Sequence, residues 1–213
     1  MKIKLSVLSL FIGLSSVLLA QEKLISLRPT LNSDDTKSCP FSQRDTRVRE
    51  YVTPVRMVWQ QHTELMTGTD FLFRQGNGQP DLVNANICIL RSQNGVKPSI
   101  LLDFGKEIQG GIQVVTGMPA SKKPITVRIR FGESVSEAMC EIDGKNGASN
   151  DHAIRDFEMK LPWLGVAEFG NSGFRFARID LIDDNVELHI KEIRAISVYR
   201  AVSYTHLRAH ETG

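Results

Sequence analysis

The sequence is poor in the features that most often announce a function. Three cysteines occur in 213 residues, Cys39, Cys88 and Cys140, and none stands at the short paired spacing that a zinc ribbon or a redox-active dithiol requires. One disulfide is allowed, with one thiol left over. Cys88 alternates within an apolar run and reads as a small buried hydrophobe. There is no excess of charge: the formal net charge is +2, and it falls to zero once Lys2 and Lys4 are set aside. A neutral chain without a basic stripe argues against nucleic acid as a partner. The densest basic cluster, Arg44, Arg47 and Arg49, is interleaved with Asp45 and Glu50 and reads as a solvated segment. "GKNG" at 144–147 lacks the strand-loop-helix setting of a nucleotide-binding loop, so no cofactor is implied. No internal repeat, low-complexity tract or long amphipathic helix is visible. The one long apolar stretch, at 5–19, is too short to span a bilayer comfortably.

That stretch has a different reading. Lys2 and Lys4 followed by an apolar run broken only by serines is the order of an export signal, a signal-peptide helix that precedes the folded domain. A cut after Ala20 leaves Gln21 first, although Leu18 departs from the small-x-small rule. No cysteine follows the run, so a lipid anchor is not suggested. The expected location is secreted or periplasmic, with no membrane span after cleavage. Residues 21–50 are polar and aperiodic and contain Pro29, Pro40 and a Ser-Asp-Asp-Thr turn, which suggests an extended leader that wraps a domain.

From residue 51 onward, strand patterns dominate. "ITVRIRFGE" places Ile125, Val127, Ile129 and Phe131 on one face and Thr126, Arg128 and Arg130 on the other, the period of a half-buried strand. The arginine face is expected to meet solvent or a further domain. Shorter runs follow the same theme: "VRMVW" at 55–59, "NICIL" at 86–90, "SILLDF" at 99–104, "GIQVV" at 111–115, "GFRFARIDLI" at 173–182 and "VELHIKEIRAISVYR" at 186–200. "IDDN" at 182–185 reads as a hairpin turn, and residues 134–141 as a short turn of helix. Many short strands between turn signals predict an all-β fold, an antiparallel β-sandwich of jelly-roll or galactose-binding-like form.

The last residues, "VSYTHLRAHETG" at 202–213, break this pattern. In a helix His206 and His210 would share a face with Glu211 nearby, the arrangement of a metal-binding helix. The stretch instead resembles a transposase-type sequencing adapter translated in one frame. It is therefore set aside from fold reasoning, and the chain is expected to continue beyond Ala201. The other histidines, His62, His152 and His189, have no ligand spacing, and no metal site is expected. The expected organisation is a signal peptide at 1–20, a leader at 21–50, a β-sandwich at 51–201 and an adapter-derived tail at 202–213.

Four segments taken in order carry a family resemblance: "LLDFGKEIQGGIQVVTG", "VRIRFGESVSEAM", "GNSGFRFARIDL" and "EIRAISVYR". Together they resemble the N-terminal region of secreted bacterial α-L-rhamnosidases, glycoside hydrolases with β-sandwich domains ahead of an (α/α)6 barrel. Gly173, Phe174, Arg175 and Phe176 match a Gly-Phe-Arg-aromatic stretch of a late sandwich strand, and the Tyr-Arg of "SVYR" matches the strand that hands the chain to the barrel. The resemblance implies rhamnose-containing glycans as substrate of the parent enzyme and a C-terminal helical barrel as partner. It also implies an inverting mechanism whose acids lie in that barrel, so no catalytic residue carries over and the fragment alone is expected to be inactive. A free-standing carbohydrate-binding module is the alternative, and an adhesion or structural sandwich fits the strand pattern without the ordered motifs.

Two acid pairs can be written from the sequence, Glu133 with Glu137 and Asp103 with Glu107, but nothing places either around a cleft, and acids at strand ends are usually solvated or bonded to backbone. Of the two tryptophans, Trp59 closes an apolar strand and reads as core. Trp163, beside Pro162 and ahead of a glycine loop, is the candidate carbohydrate contact, with packing against another domain as its competing role.

Overall fold

The computed structural model describes residues 47–142, 149–150 and 153–200. The expected export signal, most of the leader, Cys39, His152, the "GKNG" loop and the tail lie outside the described residues. Among the described residues there are nine strands: β1 (Arg47–Val52), β2 (Arg56–Gln61), β3 (Met66–Thr67), β4 (Cys88–Arg91), β5 (Ser99–Thr116), β6 (Ile125–Gly132), β7 (Asp156–Leu161), β8 (Val166–Leu181) and β9 (Glu187–Arg200). One short α-helix, α1 (Val135–Met139), follows β6, inside the segment where the sequence suggests a helical turn, and two short 3-10 turns, Thr63–Leu65 and Thr69–Phe73, flank β3. Every strand pairing is antiparallel.

The strands form one hydrogen-bonded path, β3-β4-β9-β5-β8-β6-β7, with β1 added to β9 and β2 to β5. Two long strands turn this path into a sandwich. The first part of β5, residues 99–103, pairs with β2 and with the end of β8; its last part, residues 110–116, pairs with β9 and the start of β8. Register breaks fall between these parts, at Asp103/Ile108 and Gly110/Ile112. The bend needs backbone that side chains resist: Gly105 has φ 76, and a Cβ on Gly110 would lie 1.9 Å from the Ile196 carbonyl oxygen. "SILLDF" and "GIQVV", two runs in the sequence, are thus one bulged strand.

Layer I comprises β1, β3, β4, β9 and the adjoining parts of β5 and β8; layer II comprises β2, β6, β7 and the remaining parts. The core lies between them. Leu90, Ile112, Val114, Ile193 and Ala195 come from the first layer, and Ile100, Leu102, Val127, Ile129 and Ile179 from the second, all fully buried. At the bend Phe131 stacks on Phe174 with ring centroids 4.1 Å apart, and Phe104 meets Phe174 edge-on at 5.8 Å. Cys88 sits in this core, and burial pushes its thiol pKa up to about 12, so the small-hydrophobe reading of that residue holds. The β8–β9 turn at "IDDN" is also as expected, with Asn185 at φ 56.

The outer face of layer II corrects one expectation. Arg130 does not meet solvent: it is 3% exposed. Its guanidinium donates to Asp180 Oδ2 at 2.9 Å and to Glu141 Oε1 at 2.9 Å. Arg128 donates to Asp156 Oδ1 and to Glu141 Oε2, each at 2.7 Å, and Arg178 donates to Asp180 Oδ1 at 2.8 Å. Burial opposes the charge on Asp180, but hydrogen bonds from Ser99, Arg178 and Arg130 outweigh it and lower its pKa. The cover is α1 and the residues after it. Ala138 packs on Leu101 and Phe176, with Met139 and Trp59 half-buried beside them. Trp59 is thus an outer-face residue with the Arg178 guanidinium 4.9 Å over its ring, not a member of the central core.

A candidate binding face on layer I

Strand alternation sends a second set of charged and aromatic side chains to the outer face of layer I, where a short 3-10 turn, Thr69–Phe73, packs against part of β9. Glu192, Arg194, Ile196 and Val198 come from β9, Gly111 and Gln113 from β5, Glu168 from β8, and Arg49 and Tyr51 from the edge strand β1. Register sets Gln113 opposite both Arg194 and Glu168. The Tyr51 ring lies over the Arg194 guanidinium at 4.2 Å and remains 38% exposed. Its hydroxyl donates to Glu168 Oε1 at 3.4 Å. Arg49 Nη2 donates to Glu168 Oε2 at 2.7 Å and Gln113 Nε2 to Glu168 Oε1 at 2.6 Å, while Arg194 Nε donates to Gln113 Oε1 at 2.9 Å.

Glu168 is therefore held as an anion. Burial works against its charge, but Arg49, Gln113 and Tyr51 together bring its pKa below the ordinary value. Such a carboxylate accepts hydrogen bonds and is a poor proton donor at neutral pH. The arrangement suits binding by stacking and hydrogen bonding rather than acid catalysis.

Two clefts open beside this lattice. The smaller, of about 280 Å³, has a glycine floor of Gly110, Gly111 and Gly170 and is flanked by Arg49, Phe169 and Asn171. A Cβ on Gly111 would stand 2.5 Å from the Phe169 carbonyl oxygen, so a side chain there would displace the backbone that forms the floor. Phe169 is 41% exposed and rests against Phe157 at 4.2 Å. The larger cleft, of about 450 Å³, lies between Lys191 and Glu192 and the segment that follows β3, where Phe71, Gln75 and Asn77 line it. That segment is anchored by Gly78 N donating to Glu192 Oε1 at 3.0 Å and by Lys191 Nζ donating to Asp81 Oδ2 at 2.9 Å and to the Ala85 carbonyl at 2.7 Å.

Trp163 lies elsewhere. It is half-buried on the turn between β7 and β8 and lines neither cleft. The turn is pinned by the buried Thr116, whose hydroxyl donates to the Pro162 carbonyl at 3.0 Å and accepts from Gly165 N at 3.0 Å. One acid of each pair has structural work. Asp103 takes hydrogen bonds from Arg175 and, against the cost of burial, from Gly105 N and Arg56, which bring its pKa to about 2. Glu137 accepts from Glu133 N at 2.8 Å while its own N–H donates to Ser134 Oγ at 3.2 Å, closing the start of α1 much as a capping box does. Among the described residues no group of three or more His, Cys, Asp or Glu is placed to hold a metal ion, and no helix is long and apolar enough to cross a membrane.

Tyr51, Glu168 and Phe169 were not singled out in the sequence. The alternation in "RVREY" does put Arg47, Arg49 and Tyr51 on one face, the trace that could have drawn attention to β1. Nothing local marks Glu168, which joins them through strand order alone.

No protein-family model matches the chain, and no curated protein does. Among solved structures, the chain is similar to a rhamnosidase from Klebsiella oxytoca with rhamnose bound, at 17% identity and a TM-score of 0.49, over 74% of this chain and 30% of that one. It thus spans under a third of the rhamnosidase. It is also similar to a fucose binding module from Streptococcus pneumoniae, at 11% identity and a TM-score of 0.40, over 71% of this chain and 93% of that one. The C-terminal domain of a chitobiase from Bacteroides fragilis is matched at 14% identity and a TM-score of 0.45, over 70% of this chain and 99% of the other.

Proposed function

We propose that this chain is a non-catalytic carbohydrate-binding β-sandwich serving an exported α-L-rhamnosidase-like glycoside hydrolase that acts on rhamnose-containing glycans, with the bond-breaking acids in a separate helical barrel. The observation that carries the binding part is Tyr51: an exposed aromatic ring, backed by Arg194 and fixed through its hydroxyl to Glu168. The Tyr51 ring, with the Arg194 guanidinium at 4.2 Å and that of Arg49 at 5.7 Å from its centroid, offers its exposed surface to the apolar face of a pyranose, while Arg49 and Asn171 beside the glycine floor offer partners for its hydroxyls. The four ordered sequence segments support the rhamnosidase-like parent. Trp163 is a secondary contact in this reading, reached from the β7–β8 turn.

Calorimetric titration of the protein with L-rhamnose and with oligosaccharides of α-linked rhamnose tests the assignment. Saturable binding is expected, and Tyr51→Ala should weaken it about tenfold, a loss of roughly 1.4 kcal/mol, with the melting temperature nearly unchanged. No heat from any of these sugars, or binding indifferent to Tyr51→Ala, would overturn it. Purified protein should release no product from an aryl α-L-rhamnoside.

A further inference from the structure

We infer that the two clefts of layer I are the ends of one binding track and that the ligand is a neutral linear oligosaccharide rather than a single terminal sugar; this rests on the carbohydrate-binding reading above. The argument begins with register. Glu192, Arg194, Ile196 and Val198 alternate along β9 onto the same outer face. Glu192 lines the larger cleft, while Ile196 and Val198 line the smaller. At about 3.3 Å per residue, Glu192 and Ile196 are roughly 13 Å apart along the strand, a length that a short saccharide chain covers and a monosaccharide does not. Arg194 stands midway, and it is the residue that backs the exposed Tyr51 ring.

What separates the clefts is the Gly76–Gly78 backbone, which lies over Glu192 and Arg194. Gly78 passes close to this face, with a Cβ position 2.0 Å from Arg194 Nη2, and its φ of 73 is one that glycine adopts without strain. The ridge between the clefts is therefore built largely of glycine backbone, beside the Tyr51 ring.

The chemistry of the larger cleft selects the ligand. Its central charges are already answered within the protein: Lys191 by Asp81 and the Ala85 carbonyl, and Glu192 by Gly78 N and by Arg194 at 3.6 Å. The Arg74 guanidinium rests over the Phe71 ring at 4.6 Å. Gln75 and Asn77 add side-chain amides that both donate and accept. Such a lining favours a neutral chain of hydroxyls over an ionic ligand.

The test is the length dependence of affinity, measured by calorimetry with L-rhamnose and α-linked rhamnose di-, tri- and tetrasaccharides. The tetrasaccharide is expected to bind at least about tenfold more tightly than the monosaccharide. Phe71→Ala and Gln75→Ala, each checked for an unchanged circular dichroism spectrum, should remove most of that gain and leave monosaccharide affinity unaltered; two variants are used so that one remains if the other misfolds. Tyr51→Ala should weaken every ligand. Equal affinity for all lengths with Tyr51 still required would overturn the track and leave the single-site reading standing. Absence of binding by every length would remove both.

Discussion

The outer faces of the two layers carry the same kinds of residue and put them to opposite uses. On layer II, arginines from β6 and β8 are roofed by α1 and tied to Asp156, Asp180 and Glu141, so that Arg130 is 3% exposed. On layer I, Gln113 and Glu192 are buried as well, but Arg49 and Tyr51 lie over them in reach of solvent. A strand arginine is thus neither a solubility residue nor a binding residue by type. Its neighbours in space decide which, and here a five-residue helix makes the difference.

The contrast can be broken most sharply at Arg130. Replacing it by Ala leaves Asp180 buried with fewer partners and should destabilise the fold by about 3–5 kcal/mol, read by chemical denaturation. Next comes the core strand itself: Ile129→Ala removes a fully buried side chain and should cost about 2–5 kcal/mol through lost transfer energy and a cavity. If Arg130→Ala cost much less than Ile129→Ala, the covered face would be a lid over solvent and not a second buried layer.

Acid gives an intermediate test at the margin of the covered face. The folded pKa of Asp103 is about 2, below its ordinary 3.8. Its contribution is therefore present above pH about 4 and is lost as the pH falls through about 2. Melting temperatures followed from pH 5 to pH 2 should fall, and Asp103→Asn should flatten that fall. The smallest effect belongs to the open face. Arg49 and Glu168 are 49% and 35% exposed in their side chains, so Arg49→Ala should cost roughly 0–1 kcal/mol of stability. A larger loss there would mean that layer I, too, is held by its surface charges.

Much of the architecture was legible because period-two alternation is local. "ITVRIRFGE" gives the inward set of β6 correctly, and "IDDN" gives its turn. What alternation cannot say is whether the outward set is wet. The burial of Arg130 depends on α1 and Glu141 folding back over β6, and no pattern within the strand records that. Trp59 was misplaced for the same reason: its face of β2 is the outer one, half-covered from a distance. The break at residues 104–107 hid the unity of β5, since a bulge at a glycine reads in sequence like the end of a strand. The binding face was least visible. Tyr51, Glu168 and Arg194 come from three strands far apart in the chain, and only β9 and β5 between them bring the set together.

The strands common to both layers also govern how the molecule must assemble. β5 and β8 each run through both layers, and they pair with each other along most of their lengths. Neither layer can therefore form first as an independent unit, because each borrows half of two strands from the other. Residues near 100 must find residues near 180, and residues near 112 must find those near 169, before either half of the core is enclosed. Loop closure of that span comes before the reward of burial, which places the chain among slow folders of the millisecond-to-second range. It also ties the unfolding of the two layers together, so a ligand bound on one face would stabilise the other as well.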